Sequence, residues 1–464
     1  MTTREEIVAR ALEHLTFTPN EEQELALNML ADFVVNKGWR DVFVLNGYAG
    51  TGKTSVMGAL TGALADCGIK TVILAPTGRA AKVASGFARH PAFTIHKRIY
   101  RGNSSDPANT KFFLAPNNDR DTIFIVDEAS LIGDSPVASQ SLLVQLAQHV
   151  YSAPGCAMIL VGDVAQLPPV GQDRSPAMNH ERLISVGLNP LGYSLDIPVR
   201  QASGSGILYN ATMARSFLSG KYDPSKFALY TQGFPDVEAI SSRDLEDYIS
   251  SSWETAGRDE TLIITRSNRR ANDFNKAIRN LMMDTEVPLQ RGDRLVIARN
   301  DYYWSKENGL KGFLANGEAA EVVWVGRMEK AYGRYFTDVE LQLAGGQTIN
   351  AKLMLRSLVA EGPQIPREEL ERLYQRVLAE KEGAAISEKI KFAMEDPYYN
   401  ALQAKYAYCV TCHKAQGGQW KHIYIDMAGI NTTAIETSFY RWLYTALTRA
   451  TEKVFLINPP FEVK

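Results

Sequence analysis

Several features of secreted and membrane proteins are missing from this sequence. No stretch approaches the roughly 18 consecutive apolar residues of a membrane-spanning helix, and residues 1–15 intersperse charged with apolar side chains, unlike a signal peptide. Only four cysteines occur among 464 residues, too few and too scattered for a disulfide framework. These absences predict a soluble, cytoplasmic protein with no membrane contact.

The chain also lacks an excess of either charge. Its formal net charge is −2 at pH 7, which argues against a protein that coats nucleic acid by bulk electrostatics but leaves room for a local basic groove. Apolar residues at 45% and charged residues at 22% are ordinary for a folded globular protein. At roughly 150 residues per domain, the length predicts about three lobes.

One cysteine pair has the spacing of a metal or redox site. Cys409 and Cys412 form a C-x-x-C. A structural zinc ion needs four ligands, and the sequence offers no second pair with suitable spacing. We therefore interpret this segment as a strand and predict no metal there.

A phosphate-binding loop is the strongest signal. The segment 47–54, Gly-Tyr-Ala-Gly-Thr-Gly-Lys-Thr, fits the pattern G-x-x-x-x-G-K-[ST] at every fixed position. A strand-type run at 42–45 precedes it and a helix-type run at 55–64 follows, as the motif requires. Lys53 is predicted to reach the β- and γ-phosphates of ATP, and Thr54 to ligate Mg²⁺. The alternative is a Gly-rich turn that binds nothing.

Gln23 precedes this loop in the first turn of a predicted helix. Its carboxamide carries both a donor and an acceptor and could read an adenine edge, although such residues are usually only solvated. The predicted nucleotide-binding set is Gln23, Gly47, Gly50, Thr51, Gly52, Lys53, Thr54 and Ser55.

Two more strand ends carry candidate catalytic groups. Asp127 and Glu128 follow the apolar run 122–126. In a chain that also has a phosphate-binding loop, the two carboxylates of such a pair have different roles. The aspartate would bind Mg²⁺ through water, and the glutamate would activate the attacking water as general base. The run 157–161 ends in a proline-stiffened turn where Gln166 would contact the γ-phosphate. An accidental acidic pair and a rigid surface loop are the alternatives.

Two turns are candidate contacts for nucleic acid. The strand-type run 70–75 leads into Thr77 and Gly78, where a helix N-terminus would offer N–H groups to an anion such as a phosphate. The segment 93–98 brings a hydroxyl group, the His96 imidazole and two cations together. A plain β–α turn is the alternative for the first.

Taken together, these residues resemble the superfamily 1 helicases. Gln23, the loop 47–54, the segment 75–81, the acidic pair and the Gly-Asp-x-x-Gln at 162–166 have the family's order and approximate spacing. The second half is similar in Asp-Ile-Pro-Val-Arg-Gln from 196, in 262–272, in Thr-Cys-His-Lys-Ala-Gln-Gly from 411 and in Leu-Tyr-Thr-Ala-Leu-Thr-Arg-Ala from 443. The last two resemble superfamily 1B, the RecD-like branch that includes the phage Dda helicase and the PIF-type helicases.

The resemblance implies roles for further residues. Arg200 and Arg449 match the family's two arginine fingers, which would arrive from the second motor domain. The implied catalytic set is Lys53, Glu128, Gln166, Arg200 and Arg449, with Thr54 and Asp127 holding Mg²⁺. The residues implied to hold single-stranded DNA are Thr77, Gly78, His96, Asn268, Thr411, His413 and Lys414.

The fold implied is α/β, with two RecA-like parallel-sheet motor domains, a small hairpin insertion and an SH3-like β-barrel insertion. The predicted boundaries are 1–95 with 121–195 for the first motor domain, 96–120 for the hairpin and candidate wedge, 196–318 with 406–464 for the second motor domain, and 319–405 for the barrel insertion. Within the last, the sequence predicts strands at 321–325, 337–343 and 348–353 and helices at 368–379 and 386–394.

The activity implied is that of an ATP-dependent DNA helicase of bacterial or phage type, which translocates 5′ to 3′ on single-stranded DNA and unwinds duplex at single-strand/double-strand junctions. The resemblance implies a monomeric translocating unit, roles in DNA replication, repair or recombination, and partners such as a single-strand-binding protein. An RNA-directed superfamily 1 helicase is one alternative. A nucleic-acid clamp with a decayed ATPase is another, which the intact set Lys53, Asp127, Glu128, Arg200 and Arg449 disfavours.

Overall fold

The computed structural model describes residues 2–102, 112–134, 141–198, 204–218, 220–310, 313–343, 346–432 and 435–464. The chain divides into two compact units. The first unit comprises 1–100, 114–245 and 415–464, and the second comprises 101–113 and 246–414. Arg200 lies outside the described residues, so its role as a finger stays a prediction, and so do the predicted domain boundaries.

Strands and helices alternate along the first part of the chain. Its helices are α1 (Arg4–His14), α2 (Glu21–Asn36), α3 (Lys53–Asp66), α4 (Gly78–Ala88), α5 (Ile95–Ile99), α6 (Leu142–Tyr151) and α7 (His180–Ser185). Its strands are β1 (Asp41–Gly47), β2 (Lys70–Ala75), β3 (Ala92–Thr94), β4 (Tyr100–Gly102), β5 (Phe112–Leu114), β6 (Thr122–Val126), β7 (Ala157–Gly162) and β8 (Asn189–Leu195). The strands and the helix predicted around the phosphate-binding loop are confirmed.

The remaining elements follow in chain order. Next in the first unit are α8 (Gly206–Phe217), β9 (Ala228–Leu229) and β10 (Val237–Ile240). The stretch 245–415 contains α9 (Leu245–Thr255), β11 (Thr261–Thr265), α10 (Asn268–Met282), β12 (Arg294–Ile297), α11 (Tyr303–Glu307), β13 (Ala319–Val325), β14 (Glu329–Ala331), β15 (Arg334–Leu343), β16 (Thr348–Met354), α12 (Leu355–Leu358), α13 (Arg367–Ala379), α14 (Ile386–Glu395), β17 (Ala404–Tyr406), β18 (Cys409–Thr411) and α15 (Cys412–Ala415). The chain returns to the first unit with β19 (Trp420–Asp426), α16 (Thr437–Leu447), β20 (Ala450–Ile457) and β21 (Glu462–Val463).

The main sheet of the first unit is parallel throughout. Its strand order is β3-β2-β6-β7-β1-β8, and every neighbouring pair runs in the same direction. The register places Asn46 beside Gly162 and Val126 beside Leu160, so these strands end at a common edge. Ligands of parallel α/β sheets bind outside that carboxyl edge. The α/β class is therefore confirmed, and the edge is where a site is expected.

This sheet is covered on both faces, which explains its continuous apolar strands. Side chains alternate along a strand, so Phe43 and Leu45 pack in one buried cluster with residues of α1, α2 and α3. Val42 and Val44 point the other way and pack with residues of α5, α6 and α7. The sheet is thus the rigid centre from which its connecting loops project.

The first unit also contains parallel strands from the later chain. β20 lies between β10 and β19, parallel to both, and β21 pairs in parallel with β9. On α16, Phe439 and Tyr440 contribute to an aromatic cluster with Phe217, Phe227 and Phe461. This cluster fixes α16 in the first unit.

The second unit combines parallel and antiparallel strands. β11 and β18 pair in parallel, whereas β14, β15, β13, β12 and β17 form an antiparallel sheet in that order, with β16 also on β15. The strands and helices predicted between 321 and 394 are confirmed, while an SH3-like barrel stays a prediction. In the first half of the chain, β4 and β5 pair with each other, and the intervening residues 103–111 lie outside the described part. Across the described residues, no helix combines the length and apolar character needed to span a membrane.

A buried ion pair in the second unit joins α10 to the residue before β12. Arg279 of α10 donates to both carboxylate oxygens of Asp293, from Nε at 2.8 Å and Nη2 at 2.9 Å, and the two side chains are only 6% and 0% exposed. Asp293 also accepts from the Tyr408 hydroxyl at 3.1 Å and the Gln290 N–H at 2.8 Å. The carboxylate is thus fully hydrogen-bonded where water cannot reach it.

We expect Arg279→Leu to lower the free energy of unfolding by about 3 kcal/mol, because it leaves a buried carboxylate without its counter-ion. Urea unfolding followed by tryptophan fluorescence measures the change. The matched control is Asp259→Asn, which removes the ion pair between Arg294 and Asp259. The Asp259 side chain is 72% exposed, so this change should lower the free energy of unfolding by at most about 1 kcal/mol. Equal losses for the two variants would contradict the expectation.

Candidate functional site

The phosphate-binding loop lies between β1 and α3. Gly50 and Gly52 have φ angles of +79° and +85°, which side-chain-bearing residues adopt only with strain. A Cβ atom on Gly47 would come within 2.8 Å of the Lys53 side chain and 2.9 Å of the Thr51 hydroxyl. The glycines are therefore required by the backbone path that turns into α3.

The lysine of this loop is held by the loop itself. Lys53 Nζ donates to the Tyr48 carbonyl at 2.9 Å and also to the Gly47 carbonyl. Thr51 is fully buried, and its hydroxyl donates to the same Tyr48 carbonyl at 2.8 Å. The ammonium group is thus placed over the cradle, where it can exchange backbone carbonyls for phosphate oxygens.

Gln23 supports the loop from α2. It closes a capping box with Asn20: the Asn20 N–H donates to Gln23 Oε1 at 3.1 Å, and the Gln23 N–H donates to the Asn20 side chain at 2.9 Å. Its Nε2 donates to the Thr51 carbonyl at 3.0 Å. Gln23 is fully buried, so the structure shows it supporting the loop, and adenine reading stays a prediction.

The two carboxylates follow β6 directly. Glu128 has a φ of +51°, a strained conformation of the kind found at functional sites, and its N–H donates to Asp127 Oδ1 at 2.9 Å. Burial and then the Glu128 charge raise the pKa of the Asp127 carboxyl, while Lys53 lowers it. The carboxylate, with the hydroxyl of Thr54 in the first turn of α3, offers the hard oxygen donors that Mg²⁺ prefers.

The turn after β7 carries Gln166. This side chain is 6% exposed, and its Oε1 is buried with no hydrogen-bond partner among the described residues. A buried acceptor without a donor is costly. The arrangement suits a side chain whose partner arrives with a ligand.

Helix α16 contacts this turn from the far end of the chain. The Thr445 hydroxyl accepts from the Leu167 N–H at 2.8 Å, and Gln416 Nε2 donates to the Leu167 carbonyl at 2.7 Å. Tyr444 donates to Asp163 Oδ2 at 2.6 Å. Both ends of the turn are therefore held by residues more than 240 positions away.

Arg449 lies just after α16 and is 5% exposed. Its guanidinium donates to the Thr445 carbonyl at 3.1 Å, the Gly418 carbonyl at 3.2 Å and the Thr448 hydroxyl at 3.2 Å. To act as a finger it must exchange some of these acceptors for phosphate oxygens. That role stays a prediction.

In the first unit, the predicted nucleic-acid contacts follow two neighbouring strands, β2 and β3. The Thr77 side chain caps α4 by accepting from the Ala80 N–H at 3.2 Å, and Gly78 is the first residue of that helix. His96 lies in α5, where burial lowers the pKa of its imidazole. Its ring is therefore neutral at pH 7 and can act as a hydrogen-bonding group.

The second unit repeats this pattern at β11 and β18. Their register pairs Thr265 with Thr411, which brings Thr411 close to the turn that leads into Asn268, the first residue of α10. His413 and Lys414 follow in α15, and burial lowers the pKa of the Lys414 ammonium to about 8. The structure thus gathers the predicted contacts at strand ends within each unit.

Reasoning from the sequence missed the roles of Tyr444 and Thr445. Both lie inside the segment recognised for Arg449, and with Arg441 they have the i, i+3, i+4 spacing of one helix face. That spacing was the available signal. Their partners could not be read from it, because these lie in a different part of the chain.

Two family models match the parts of the chain that contain the phosphate-binding loop and Arg449. Residues 20–186 match the family model of an AAA domain, and residues 406–457 match that of a UvrD-like helicase C-terminal domain. The ATP-dependent RecD2 DNA helicase of Deinococcus radiodurans is 34% identical over 157 residues, and the ATP-dependent DNA helicase dda of Enterobacteria phage T4 is 25% identical over 283 residues. These matches support the resemblance to the superfamily 1B DNA helicases of the RecD-like branch.

The matches to this family differ in extent. The RecD2 match covers 32% of this chain and 18% of RecD2, and the dda match covers 60% of each protein. An uncharacterized protein of Acanthamoeba polyphaga mimivirus is 21% identical over 95% of this chain and 100% of its own length. Among solved structures, a Pif1 helicase from Bacteroides in complex with ADP-AlF3 and single-stranded DNA is 18% identical, with a TM-score of 0.48 over 95% of this chain and 92% of that one.

Proposed function

We propose that this RecD-like protein is an ATP-dependent DNA helicase that moves 5′ to 3′ along single-stranded DNA and unwinds duplex ahead of it. The observation that carries the proposal is the carboxyl edge of the parallel sheet in the first unit. There the phosphate-binding loop, the Asp127–Glu128 pair and the buried Gln166 follow strands β1, β6 and β7.

The nucleotide chemistry follows the general scheme of phosphoryl transfer. Lys53 and the N–H groups at the start of α3 hold the phosphates. Glu128 orients the attacking water and accepts its proton. Thr54 and Asp127 would hold Mg²⁺, which supplies positive charge beside the phosphate oxygens. Gln166 senses the γ-phosphate, and Arg449 and Arg200 stabilise the charge of the transition state.

The grip on DNA is proposed to be by its backbone. Thr77, Gly78 and His96 in the first unit, and Asn268, Thr411, His413 and Lys414 in the second, offer hydroxyl, N–H, amide, imidazole and ammonium groups. Such groups suit phosphates, which carry no sequence information. Alternation of the two grips with the ATP cycle would move the strand, and the hairpin at 96–120 is the candidate wedge.

We expect Lys53→Ala to reduce ATP turnover by about 100-fold or more, because the ammonium is the mobile positive charge at the phosphates. Single-stranded DNA binding, measured by fluorescence anisotropy, should remain within a few-fold of wild type. Lys70→Ala, an exposed lysine at the start of β2, is the control and should leave turnover unchanged. Wild-type hydrolysis by Lys53→Ala would refute the site.

Glu128→Gln should bind ATP with wild-type affinity yet hydrolyse it about 100-fold more slowly, since the amide cannot accept a proton from water. Filter binding and phosphate release measure the two steps separately. The exposed Glu24→Gln is the matched control. If Glu128→Gln turns over normally, another residue is the base.

The direction of movement predicts which tailed duplexes are unwound. With ATP, a duplex bearing a 5′ single-stranded DNA tail should be separated, and the same duplex with a 3′ tail should not. Strand separation on a native gel provides the measurement. Activity on the 3′ tail alone would overturn the direction, and a preference for a 5′ RNA tail of the same sequence would favour the RNA-directed alternative.

A further inference from the structure

One face of α16 holds both the phosphate-binding loop and the turn of Gln166. Arg441, Tyr444 and Thr445 share this face because they are three and four positions apart. Arg441 donates to the carbonyl groups of Val164 and Gln166. Of the three, Tyr444 contacts both segments, because its hydroxyl bonds to Ala49 and to Asp163.

The Tyr444 hydroxyl makes two hydrogen bonds at once. It accepts from the Ala49 N–H in the phosphate-binding loop at 2.7 Å and donates to Asp163 Oδ2 at 2.6 Å. The side chain is 2% exposed. Burial and the neighbouring Asp163 raise the pKa of this phenol well above its ordinary value, so it remains a donor at neutral pH.

The two hydrogen-bond partners of Tyr444, Ala49 and Asp163, lie in segments with different roles. Ala49 lies at the start of the loop, ahead of the glycine-flanked N–H groups that face the phosphates. Asp163 shapes the turn of Gln166, because its Oδ1 accepts from the Ala165 N–H at 2.9 Å. A single hydroxyl therefore links the cradle that binds the phosphates to the turn that carries their sensor.

We propose that Tyr444 is a positioning residue for ATP hydrolysis, which holds the phosphate-binding loop and the Gln166 turn in the relative position that the reaction needs. Its role is indirect, because its hydroxyl is engaged by Ala49 and Asp163. The inference rests on the proposed function. It adds that α16, the helix before Arg449, is hydrogen-bonded to the two segments that would bind the nucleotide. Removal of the hydroxyl leaves the Ala49 N–H and the Asp163 carboxylate without this partner.

The test is Tyr444→Phe in the full chain, with ATP turnover measured at saturating single-stranded DNA. We expect kcat to fall about 10-fold with KM for ATP within about 3-fold of wild type, because the phosphate-facing N–H groups and Lys53 remain in place. The matched control is Tyr440→Phe, one turn earlier on α16, whose hydroxyl is buried with no partner among the described residues. Its kcat should equal that of wild type.

Asp163→Asn provides a second variant that does not disturb the core of α16. The amide has one acceptor oxygen where the carboxylate uses two, so kcat should fall here as well. Because both changes break the same Tyr444–Asp163 hydrogen bond, the double variant should lose no more than about 2-fold beyond the worse single variant. Thermal unfolding of each variant separates a loss of folded protein from a loss of turnover.

Three results would overturn the inference: wild-type kcat in Tyr444→Phe, an equal loss in Tyr440→Phe, or fully additive losses in the double variant. A rise in KM with unchanged kcat would make Tyr444 a binding residue instead. The proposed function fails separately, if Lys53→Ala still hydrolyses ATP. Normal turnover in Tyr444→Phe beside an inactive Lys53→Ala would refute only the role of the tyrosine.

Discussion

The parallel register of one sheet is the constraint on which the rest of the site depends. Because β1, β2, β6 and β7 run in the same direction, the loops that follow them emerge at one edge. The phosphate-binding loop, the acidic pair and the Gln166 turn are each a short polar segment after a buried apolar strand. Each would be an ordinary loop alone, and the sheet makes them neighbours.

The edge needs a second constraint, because loops on a rigid sheet can still shift against each other. Helix α16 supplies it through polar contacts from Tyr444, Thr445 and Arg441. Two of these contacts, Thr445 with Leu167 and Tyr444 with Asp163, are buried, where a hydrogen bond is electrostatically stronger and an unpaired partner is costly. The turn and the loop are therefore held together by a helix some 280 to 395 residues away in the chain.

Much of this could be predicted from the sequence, because the relevant patterns are local. The loop 47–54 requires glycine at positions of positive φ, and β1 and α3 flank it as predicted. What could not be predicted is tertiary: the capping-box residue Gln23 also holds the Thr51 carbonyl, and the buried Arg449 is engaged by three acceptors. Side-chain partners far away in the chain leave no periodic signal.

A net charge of −2 is compatible with the proposed binding of a polyanion. Most of the proposed DNA contacts are neutral groups, and burial keeps the His96 imidazole uncharged at pH 7. Hydrogen bonds from helix N-termini and hydroxyl groups are directional, whereas attraction by lysine and arginine is long-ranged and releases many counter-ions. A motor must release each phosphate on every cycle. A grip that depends on alignment can be broken by a small movement, and a grip that depends on net charge cannot.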